Sequence, residues 1–476
     1  MNTKALRQKV LDLAIHGKLV PQNQNDESAT VLLEKIRAEK AEKIKKGELK
    51  ADTKAARVLD SFIFVGSDKR HYEQFADGTV KDIEDEIPFE VPEGWAWCRL
   101  GNIGKWQSGT TPNKKNLDYY KDGTIPWLLT GDLNDGIVTE IPNCITEKAL
   151  KETSLKINPI GSVCIAMYGA TIGKLGILNT PATTNQACCV CYEFYGINNK
   201  FLFYFLKEHK EEFILQGFGG AQPNISKEKI VDTFIPLPPL SEQKRIVKSI
   251  ETYFEQIDSF EENKYDLQIA IKKTKSKILD LAIHGKLVPQ DSNDEPAEEL
   301  LKHIATSDNR PYEKIDLSEI DWTLPNNWCL CHFWDIATVI NGKNQSKVEN
   351  PNGKYPIYGS GGIMGRADDY ICPENCTIIG RKGSINNPIF VEEKFWNVDT
   401  AFGLSPSEAV LPKFLFYFCE YFDFTTLDSS TTLPSLTKTN IQQIIFALPP
   451  IEEQKRILDK TNELFRKLDE IVLNLI

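Results

Sequence analysis

The stretch LDLAIHGKLVPQ at residues 11–22 occurs a second time at residues 279–290. Chance does not repeat twelve positions in a chain of 476 residues. The similarity continues without a gap, because the pattern DE-x-A-x-x-LL-x-x-I begins at Asp26 and again at Asp294. An internal duplication therefore decides the fold, and it has to be traced before any single element is assigned.

A second pair of markers shows how far the duplication extends. LPPLSEQKRIV begins at Leu237 and LPPIEEQKRIL begins at Leu448. Between the two kinds of marker lie two stretches of comparable length, each opening with P-x-x-W and each containing FLFYF. Within them TNQA at residues 184–187 corresponds to VDTA at residues 398–401, and QPNISKEKI corresponds to LPSLTKTNI. The remaining positions diverge strongly, so the chain contains two copies of one fold with different surfaces.

Each copy is predicted to be an α+β domain of roughly 130 to 150 residues. Short β-type runs are interrupted by glycine and proline, as in TIPWLLTGD, GSVCIAMYG, YPIYGSGG and CTIIGRKGS. FLFYF and the residues that follow it have helical spacing.

A heptad pattern after Pro238-Pro239 predicts a long coiled-coil helix, with Ser241 as its N-cap and Gly285 at its end. The C-terminal tail repeats the first half of this pattern, and the N-terminus repeats the second half. The residues predicted to form the seam are Ile246, Ile250, Ile257, Leu267, Ile271, Ile278, Leu464, Leu468 and Ile471.

Tail and head together make one complete copy of the central helix. The expected architecture is thus two similar α+β domains separated by two long antiparallel coiled-coil helices, with an internal pseudo-two-fold repeat. The N-terminal half of the helical repeat is predicted at 1–36, a charged helix and linker at 37–87, and the first domain at 88–240. The central helix with its repeat is predicted at 241–305, the second domain at 306–450 and the C-terminal helix at 451–476.

The composition narrows the functional classes. A net charge of −11 argues against a protein coated with cations for unspecific nucleic-acid binding, although it allows a local basic face. The eleven cysteines lack paired metal-ligand spacing and are expected to be reduced, buried thiols. The first residues lack the apolar stretch of a secretory signal, so a cytoplasmic location is expected.

The catalytic motifs that the sequence approaches are incomplete. GATIGKL at Gly169 does not have P-loop spacing, and Asn387-Pro388-Ile389 falls short of the N-P-P-[YF] motif of adenine methyltransferases. His16 and His284 lie in the repeated helix end without a partner at ligand spacing, and a structural role is favoured for both. The chain is expected not to be an enzyme by itself and to hold no metal or cofactor.

The whole chain resembles the specificity subunit of type I restriction-modification systems. The resemblance rests on the IHGKLVPQ ends, the two LPP…EQKRI boxes and the GTTP…IPWLLTGDL run from Gly109. It implies that each domain is a target recognition domain that reads one half of a bipartite DNA site. It also implies that the helices set the spacer and dock two modification (methyltransferase) subunits, which would bind S-adenosylmethionine, and that restriction subunits join the complex.

Loop residues able to contact DNA are predicted in both domains. Gly380-Arg381-Lys382-Gly383-Ser384 presents two cations and a hydroxyl on a turn, and arginine can pair with guanine O6 and N7. Solvated turns and flexible loops are the alternative interpretation. The predicted DNA-binding residues are Thr110, Thr111, Thr130, Tyr168, Lys174, Ser360, Arg381, Lys382, Ser384, Ser435 and Lys438, the last two assigned to a polar loop.

Three other functions compete with this interpretation. A fused restriction-modification enzyme would need the absent methyltransferase and nuclease motifs, and a purely structural scaffold would not need two divergent domains. A specificity subunit of a related type II system with the same layout is the main alternative. The charged stretch EKIRAEKAEKIKKGELK from Glu34 is predicted to be a solvated helix, with a partner contact as the alternative.

Overall fold

The computed structural model describes residues 2–46, 61–75, 77–193, 198–217, 224–307, 312–427 and 435–474. The chain divides into a first unit, Asn2–Glu261, and a second unit, Glu262–Ile476. The boundary lies inside one 44-residue helix, so each unit contains a part of that helix.

The first unit joins helices from both of its ends to a β-rich body. Its helices are α1 (Thr3–Ile15), α2 (Ala29–Lys45), α3 (Leu100–Ile103), α4 (Glu147–Glu152), α5 (Asn199–Glu208), α6 (Lys210–Gly217), α7 (Lys227–Asp232) and the first part of α8 (Leu240–Ile283). Its strands are β1 (Phe62–Val65), β2 (His71–Gln74), β3 (Val80–Asp82), β4 (Ala96–Arg99), β5 (Gly104–Ser108), β6 (Ile125–Leu128), β7 (Gly136–Val138), β8 (Cys144–Ile145), β9 (Val163–Ala166), β10 (Leu175–Leu178), β11 (Thr183–Thr184), β12 (Cys188–Glu193) and β13 (Phe234–Leu237). They form sheets in the orders β1-β2-β3, β5-β12-β9-β10-β7, β11-β6-β8 and β13-β4.

The second unit has the same plan with fewer elements before its body. After α8 come the helices α9 (Ala297–Ser307), α10 (Phe333–Ile336), α11 (Pro412–Tyr421), α12 (Lys438–Gln442) and α13 (Ile451–Leu473). Its strands are β14 (Cys329–His332), β15 (Ala337–Asn341), β16 (Tyr355–Gly359), β17 (Gly362–Ala367), β18 (Cys376–Gly380), β19 (Ile389–Val391), β20 (Trp396–Asn397), β21 (Ala401–Pro406) and β22 (Ile445–Leu448). The sheet orders are β14-β22, β15-β21-β18-β19 and β17-β16-β20.

The fold predicted from the sequence is confirmed in its main elements. Each quoted β-type run contains a strand, and both FLFYF segments are helical, as α5 and α11. In each unit one hydrophobic core joins these helices to the body and to the long helices, with Ile246 and Ile250 buried in the first unit and Ile457 in the second. All eleven cysteines lie in the described residues as free thiols, and all but Cys144 are buried.

The start of the central helix differs from the prediction. Helix α8 begins at Leu240, and the backbone N–H of Gln243 donates to the carbonyl of Pro239 at 2.9 Å. Pro239 therefore precedes the first turn, and the prediction of Ser241 as N-cap is wrong by two residues.

Burial along the predicted seam differs between α8 and α13. Ile246, Ile250, Ile257, Ile271 and Ile278 are buried on α8. Leu267 on α8 and both predicted leucines of α13, Leu464 and Leu468, are half-buried. Ile471 is 44% exposed, and the tail position Leu475 lies outside the described residues.

A set of contacts that we call the helix latch fastens the loop after α1 to the start of α8. The side-chain amide of Gln22 donates to the Gly17 carbonyl at 2.7 Å and to the Glu242 carboxylate at 3.2 Å. Arg245, one turn further along α8, pairs with Asp26 at 2.8 Å. In the second unit the side-chain amide of Gln290 donates to the Gly285 carbonyl at 2.7 Å and to the Glu453 carboxylate at 3.1 Å. Arg456 pairs with Asp294 at 2.6 Å. The repeated sequences are thus retained at residues that bind one another within each unit.

The two helices of each unit run antiparallel, and a second pair of matching contacts fixes them further from the latch. Arg7 of α1 pairs with Asp258 of α8 at 2.6 Å and lies over the Phe254 ring. In the second unit Lys275 of α8 pairs with Asp469 of α13 at 2.7 Å and lies over the Phe465 ring. The heptad pattern predicted these helix pairs, whereas the ion pairs could be assigned only from the structure.

The glutamates of the helix latch are buried, which makes the latch sensitive to pH. Burial raises the pKa of Glu242, and the hydrogen bond from Gln22 offsets only part of this effect. Burial likewise raises the pKa of Glu453 despite hydrogen bonds from Trp328 and Gln290. Since the folded protein holds these protons more tightly than the unfolded chain, ionisation of both groups costs stability as the pH rises.

We therefore expect the double substitution Glu242→Gln and Glu453→Gln to change the stability of the protein in a pH-dependent way. Glutamine retains an oxygen that accepts the latch hydrogen bond but does not ionise. The free energy of unfolding of the variant, minus that of the unaltered chain, should increase from about pH 4, near the ordinary pKa of glutamate, to pH 7. Urea denaturation at a series of pH values measures this difference, and a difference that falls as the pH rises would contradict the assignment.

A three-stranded sheet, β1-β2-β3, lies in the range that the sequence analysis assigned to a charged helix and linker. The buried carboxylate of Glu73 on β2 attaches it to the body by bonds to Arg99 Nε at 2.8 Å and Arg99 Nη2 at 2.7 Å. Ser61 Oγ donates to the same carboxylate at 2.6 Å. Helix α2 contains the first part of the charged stretch, and residues 47–60 lie outside the described part of the chain.

Candidate DNA interface

In each body a cluster of loops gathers around one short segment, 184–187 in the first unit and 397–400 in the second. In the first unit the N–H of Thr110 donates to Thr184 O at 2.9 Å, and Asn185 N–H donates to Leu128 O at 3.0 Å. Met167 N–H donates to Ala187 O at 2.8 Å. These bonds bring together the loops that follow β5, β6 and β9. We call each such group a loop cluster.

The second unit builds its loop cluster with the same backbone bonds. Lys343 N–H donates to Asn397 O at 3.0 Å, Val398 N–H to Tyr358 O at 2.9 Å, and Arg381 N–H to Thr400 O at 2.8 Å. The bonds align Thr184 with Asn397. The sequence alignment of 184–187 with 398–401 is therefore wrong by one residue, because the pattern of residue types could not show which carbonyl accepts each bond.

Two further pairs of contacts support the equivalence of the clusters. The indole N–H of Trp127 donates to Thr110 O at 3.2 Å, and that of Trp396 donates to Lys343 O at 2.9 Å. Isolated β-bridges join Tyr168 to Asn224 and Lys382 to Ser435. The two backbones are thus held by similar bonds, although Trp127 lies on β6, before the central segment of its cluster, and Trp396 lies on β20, which leads directly into that segment.

The side chains carried on this shared backbone differ in charge and shape. The hydrogen-bonding pattern pairs Thr110 with Lys343, Tyr168 with Lys382, and Gln186 with Asp399. Gln186, Lys343, Lys382 and Asp399 are exposed, and Tyr168 is 37% exposed. Glutamine can bind adenine through N6 and N7, lysine can bind guanine or phosphate, and aspartate can accept from cytosine N4. Each cluster can therefore read a different set of base edges.

Most of the predicted binding residues lie in these clusters. In the first unit Thr110 hydrogen-bonds Ser154 through its hydroxyl at 2.8 Å, and the Thr111 hydroxyl donates to Gln186. Thr130 follows the end of β6 by two residues, and Ser360 follows the end of β16 by one residue. Their contacts with DNA stay a prediction.

The turn after β18 brings four predicted residues of the second unit together. The carbonyl of Arg381 accepts from Leu436 N–H at 2.9 Å, beside the bridge between Lys382 and Ser435. The Arg381 guanidinium is half-buried over the Phe402 ring at 5.8 Å, whereas Lys382 and Ser384 are exposed. Lys382 and Ser384 are accessible to a phosphate, and Arg381 is held in a defined orientation.

Two predicted residues occupy different surroundings. Lys174 lies one residue before β10, and its backbone bonds join Thr171 and Ala166. Lys438 is the first residue of α12, with Thr437 as N-cap, so its assignment to a loop is wrong. It lines a cavity of about 340 Å³ with Tyr312, Trp334 and Asp335.

Lys343 was missed by the sequence analysis although a signal was present. It follows Gly342 as Thr110 follows Gly109. A Cβ on either glycine would collide with a carbonyl of the central segment, Thr184 in the first unit and Val398 in the second. Pairing the two G-x positions would have identified Lys343 as the counterpart of Thr110.

A family profile described as "Type I restriction modification DNA specificity domain" matches residues 92–268 and 325–474. The chain belongs to this family. The two matched ranges contain the two loop clusters, a large part of α8 and all of α13. The chain is thus a type I specificity subunit with two target recognition domains, and its similarities support this assignment over the related type II system.

Two relatives of the specificity subunit cover different shares of the chain. The type I restriction enzyme EcoAI specificity subunit of Escherichia coli is 25% identical over 563 aligned positions, covering 98% of this chain and 90% of the relative. The MjaIX specificity subunit of Methanocaldococcus jannaschii is 27% identical over 278 positions, covering 56% and 58% of the two chains.

Solved structures show the same fold. A chain from a structure of a type I restriction-modification system aligns with a TM-score of 0.57 at 18% identity, covering 82% of this chain and 94% of that one. The HsdS subunit from Thermoanaerobacter tengcongensis aligns with a TM-score of 0.52 at 16% identity, covering 80% and 92%. Among the described residues of the specificity subunit, the helices are too short or too polar to cross a membrane.

Proposed function

We propose that each recognition domain of this specificity subunit binds one half of a bipartite DNA site through its loop cluster. The observation that carries the proposal is the shared set of backbone hydrogen bonds around segments 184–187 and 397–400, on which the exposed side chains differ. Base edges specify a sequence, whereas a common backbone only positions the groups that read them. Two different half-sites require this combination.

The proposal extends to the helices and to the partners of the chain. The helices set the distance between the half-sites and dock two modification subunits, and restriction subunits join that core. Exposed aromatic side chains on α8, Tyr253 at 44% and Tyr265 at 64%, support a protein partner on this helix. The specificity subunit itself catalyses no step and holds no cofactor, and S-adenosylmethionine binds to the modification subunits. Such a complex acts on DNA in the cytoplasm.

Exchange of one recognition domain tests the proposal. The exchanged segment should run from residue 61 to residue 237, because a segment starting at Pro92 would separate Glu73 from Arg99. In the complete complex, replacement by the corresponding segment of a relative should change one half-site and leave the other unchanged. Mapping of methylated positions in DNA measures both half-sites at once.

The reciprocal exchange of residues 312–448 is the matched control and should change only the other half-site. The pure subunit, incubated with DNA and labelled S-adenosylmethionine, should transfer no methyl group. A change of both half-sites by one exchange would refute independent reading by the two domains.

A further inference from the structure

The tip of the β16–β17 hairpin carries two consecutive apolar side chains in solvent. Ile363 is 67% exposed and Met364 is 63% exposed. Strand residues normally alternate between the two faces of a sheet, so two neighbours of one strand do not usually share the same environment. Exposed large apolar groups that adjoin one another indicate a contact surface more often than scattered single ones do.

A β-bulge explains why both side chains are exposed. Ile357 pairs with Gly365 and Tyr358 pairs with Ile363, so Met364 is the extra residue on β17. Bulges redirect side chains and are frequent beside functional sites. Arg366 stiffens the base of the hairpin, because its guanidinium donates to Gly353 O at 2.6 Å and to Lys354 O at 2.7 Å.

The turn of the hairpin leaves room for another molecule. The backbone φ of Gly361 is not positive. A Cβ built on Gly361 would meet no atom of the described residues within 4 Å. The fold therefore gives no reason for glycine at this position. Glycine at an exposed tip allows close approach of a ligand to the backbone.

Cationic residues of the same loop cluster are attached to the segment that holds the hairpin. Its strand β16 accepts the Val398 N–H bond, and the segment 397–400 also holds Lys343 and Arg381 through their backbone N–H groups. An apolar tip beside exposed lysine is unlike a typical protein interface core, from which charged residues are depleted. It fits a groove of DNA, whose walls are phosphates and whose floor carries an apolar group at each thymine.

We propose that the β16–β17 hairpin enters the major groove and that Ile363 and Met364 contact thymine 5-methyl groups. The major groove admits a two-stranded β-ribbon and displays the thymine methyl, whereas the minor groove does not. The inference rests on the proposed function, and it assigns to the second domain a half-site that contains an A·T pair under the hairpin tip.

Deoxyuridine tests this contact directly, because it pairs like thymidine but lacks the 5-methyl group. The complete complex is bound to duplexes carrying the mapped site, with each thymidine of the second domain's half-site replaced in turn. We expect one or two replacements to weaken binding by about fourfold for each methyl group lost from the contact. The double substitution Ile363→Ser and Met364→Ser should weaken binding to the thymidine duplex similarly and remove the response to deoxyuridine.

The control substitution is Leu317→Ser, since Leu317 is 59% exposed in the same unit but lies outside the loop cluster. It should leave affinity and the deoxyuridine response unchanged. Equal binding of thymidine and deoxyuridine duplexes, or a half-site without an A·T pair, would overturn the inference while the site-specific binding of the unaltered complex still supports the proposed function. Weaker subunit assembly of the Ile363→Ser, Met364→Ser variant, with an unchanged deoxyuridine response of the complex that still forms, would overturn it too, and would identify a protein partner as the occupant. Absence of sequence-specific binding by the unaltered complex would instead refute the proposed function.

Discussion

Replacement of Glu73 by alanine is expected to lower the free energy of unfolding of the first unit by about 3–5 kcal/mol, the cost of breaking a buried ion pair. Glu73 is fully buried and forms two hydrogen bonds with the Arg99 guanidinium. Burial alone would raise the pKa of Glu73, but the bonds from Arg99 and Ser61 outweigh it and hold that pKa below its usual value. Without Glu73 the Arg99 charge stays buried, and among the described residues Asp232 remains as its ion-pair partner at 2.9 Å.

Denaturant unfolding measures this loss of stability. Two further variants serve as controls. Glu73→Leu combined with Arg99→Met removes both charges and should recover much of the stability, because an apolar pair of similar volume can replace a buried ion pair. Lys148→Ala breaks the exposed pair with Asp118 in the same unit and should leave the unfolding transition where it is. A Glu73→Ala variant as stable as Lys148→Ala would show that the pair does not attach the β1-β2-β3 sheet.

Alanine at Gly17 or at Gly285 should destabilise the unit concerned by roughly 2–5 kcal/mol, combining left-handed backbone strain with overpacking. The two glycines have φ values of +66° and +63°. A Cβ on Gly17 would collide with Pro92 and approach Trp95 at 3.2 Å, and one on Gly285 would collide with Pro325 and approach Trp328 at 3.0 Å. The Pro-x-x-Trp motif of each body thus packs against the end of its helix.

Gly78→Ala separates the two contributions to this effect. Gly78 has a φ of +81°, but a Cβ there would meet no atom of the described residues within 4 Å. Its substitution should cost only the backbone strain, about 1–2 kcal/mol. Thermal unfolding of the three variants provides the comparison, and an equal loss for Gly17→Ala and Gly78→Ala would exclude a steric role for Pro92.

The duplication made most of the fold predictable, because a repeated pattern can be recognised from the amino-acid sequence alone. The heptad spacing of Ile246, Ile250 and Ile257 predicted a buried helix face, and all three are buried. The β1-β2-β3 sheet was not predicted because its attachment depends on Glu73 and Arg99, which are 26 positions apart and belong to no periodic pattern. Contacts of this kind arise from packing and leave little trace in local composition.

The sequence predicted where the candidate site lies, but it did not identify several of the residues exposed there. Gly380-Arg381-Lys382 was identified as a turn, and the structure places it in the loop cluster. Ile363 and Met364 escaped notice because an apolar pair within a β-type run indicates burial, and only the bulge on β17 exposes both. Lys343 escaped because its position is defined by a hydrogen bond to Asn397, not by the residues beside it.

The helix latch also has a consequence for the order in which the protein matures during synthesis. The first unit obtains both sides of its latch, Asp26 and Arg245, within its own residues 2–261. It can therefore fold on the ribosome while the rest of the chain is still being translated, as N-terminal domains generally do. The second unit must wait for Arg456 before Asp294 has a partner, so its apolar helix faces stay uncovered until α13 has been translated. Nascent chains are thus most in need of chaperone protection after the first recognition domain has formed and before α13 has emerged.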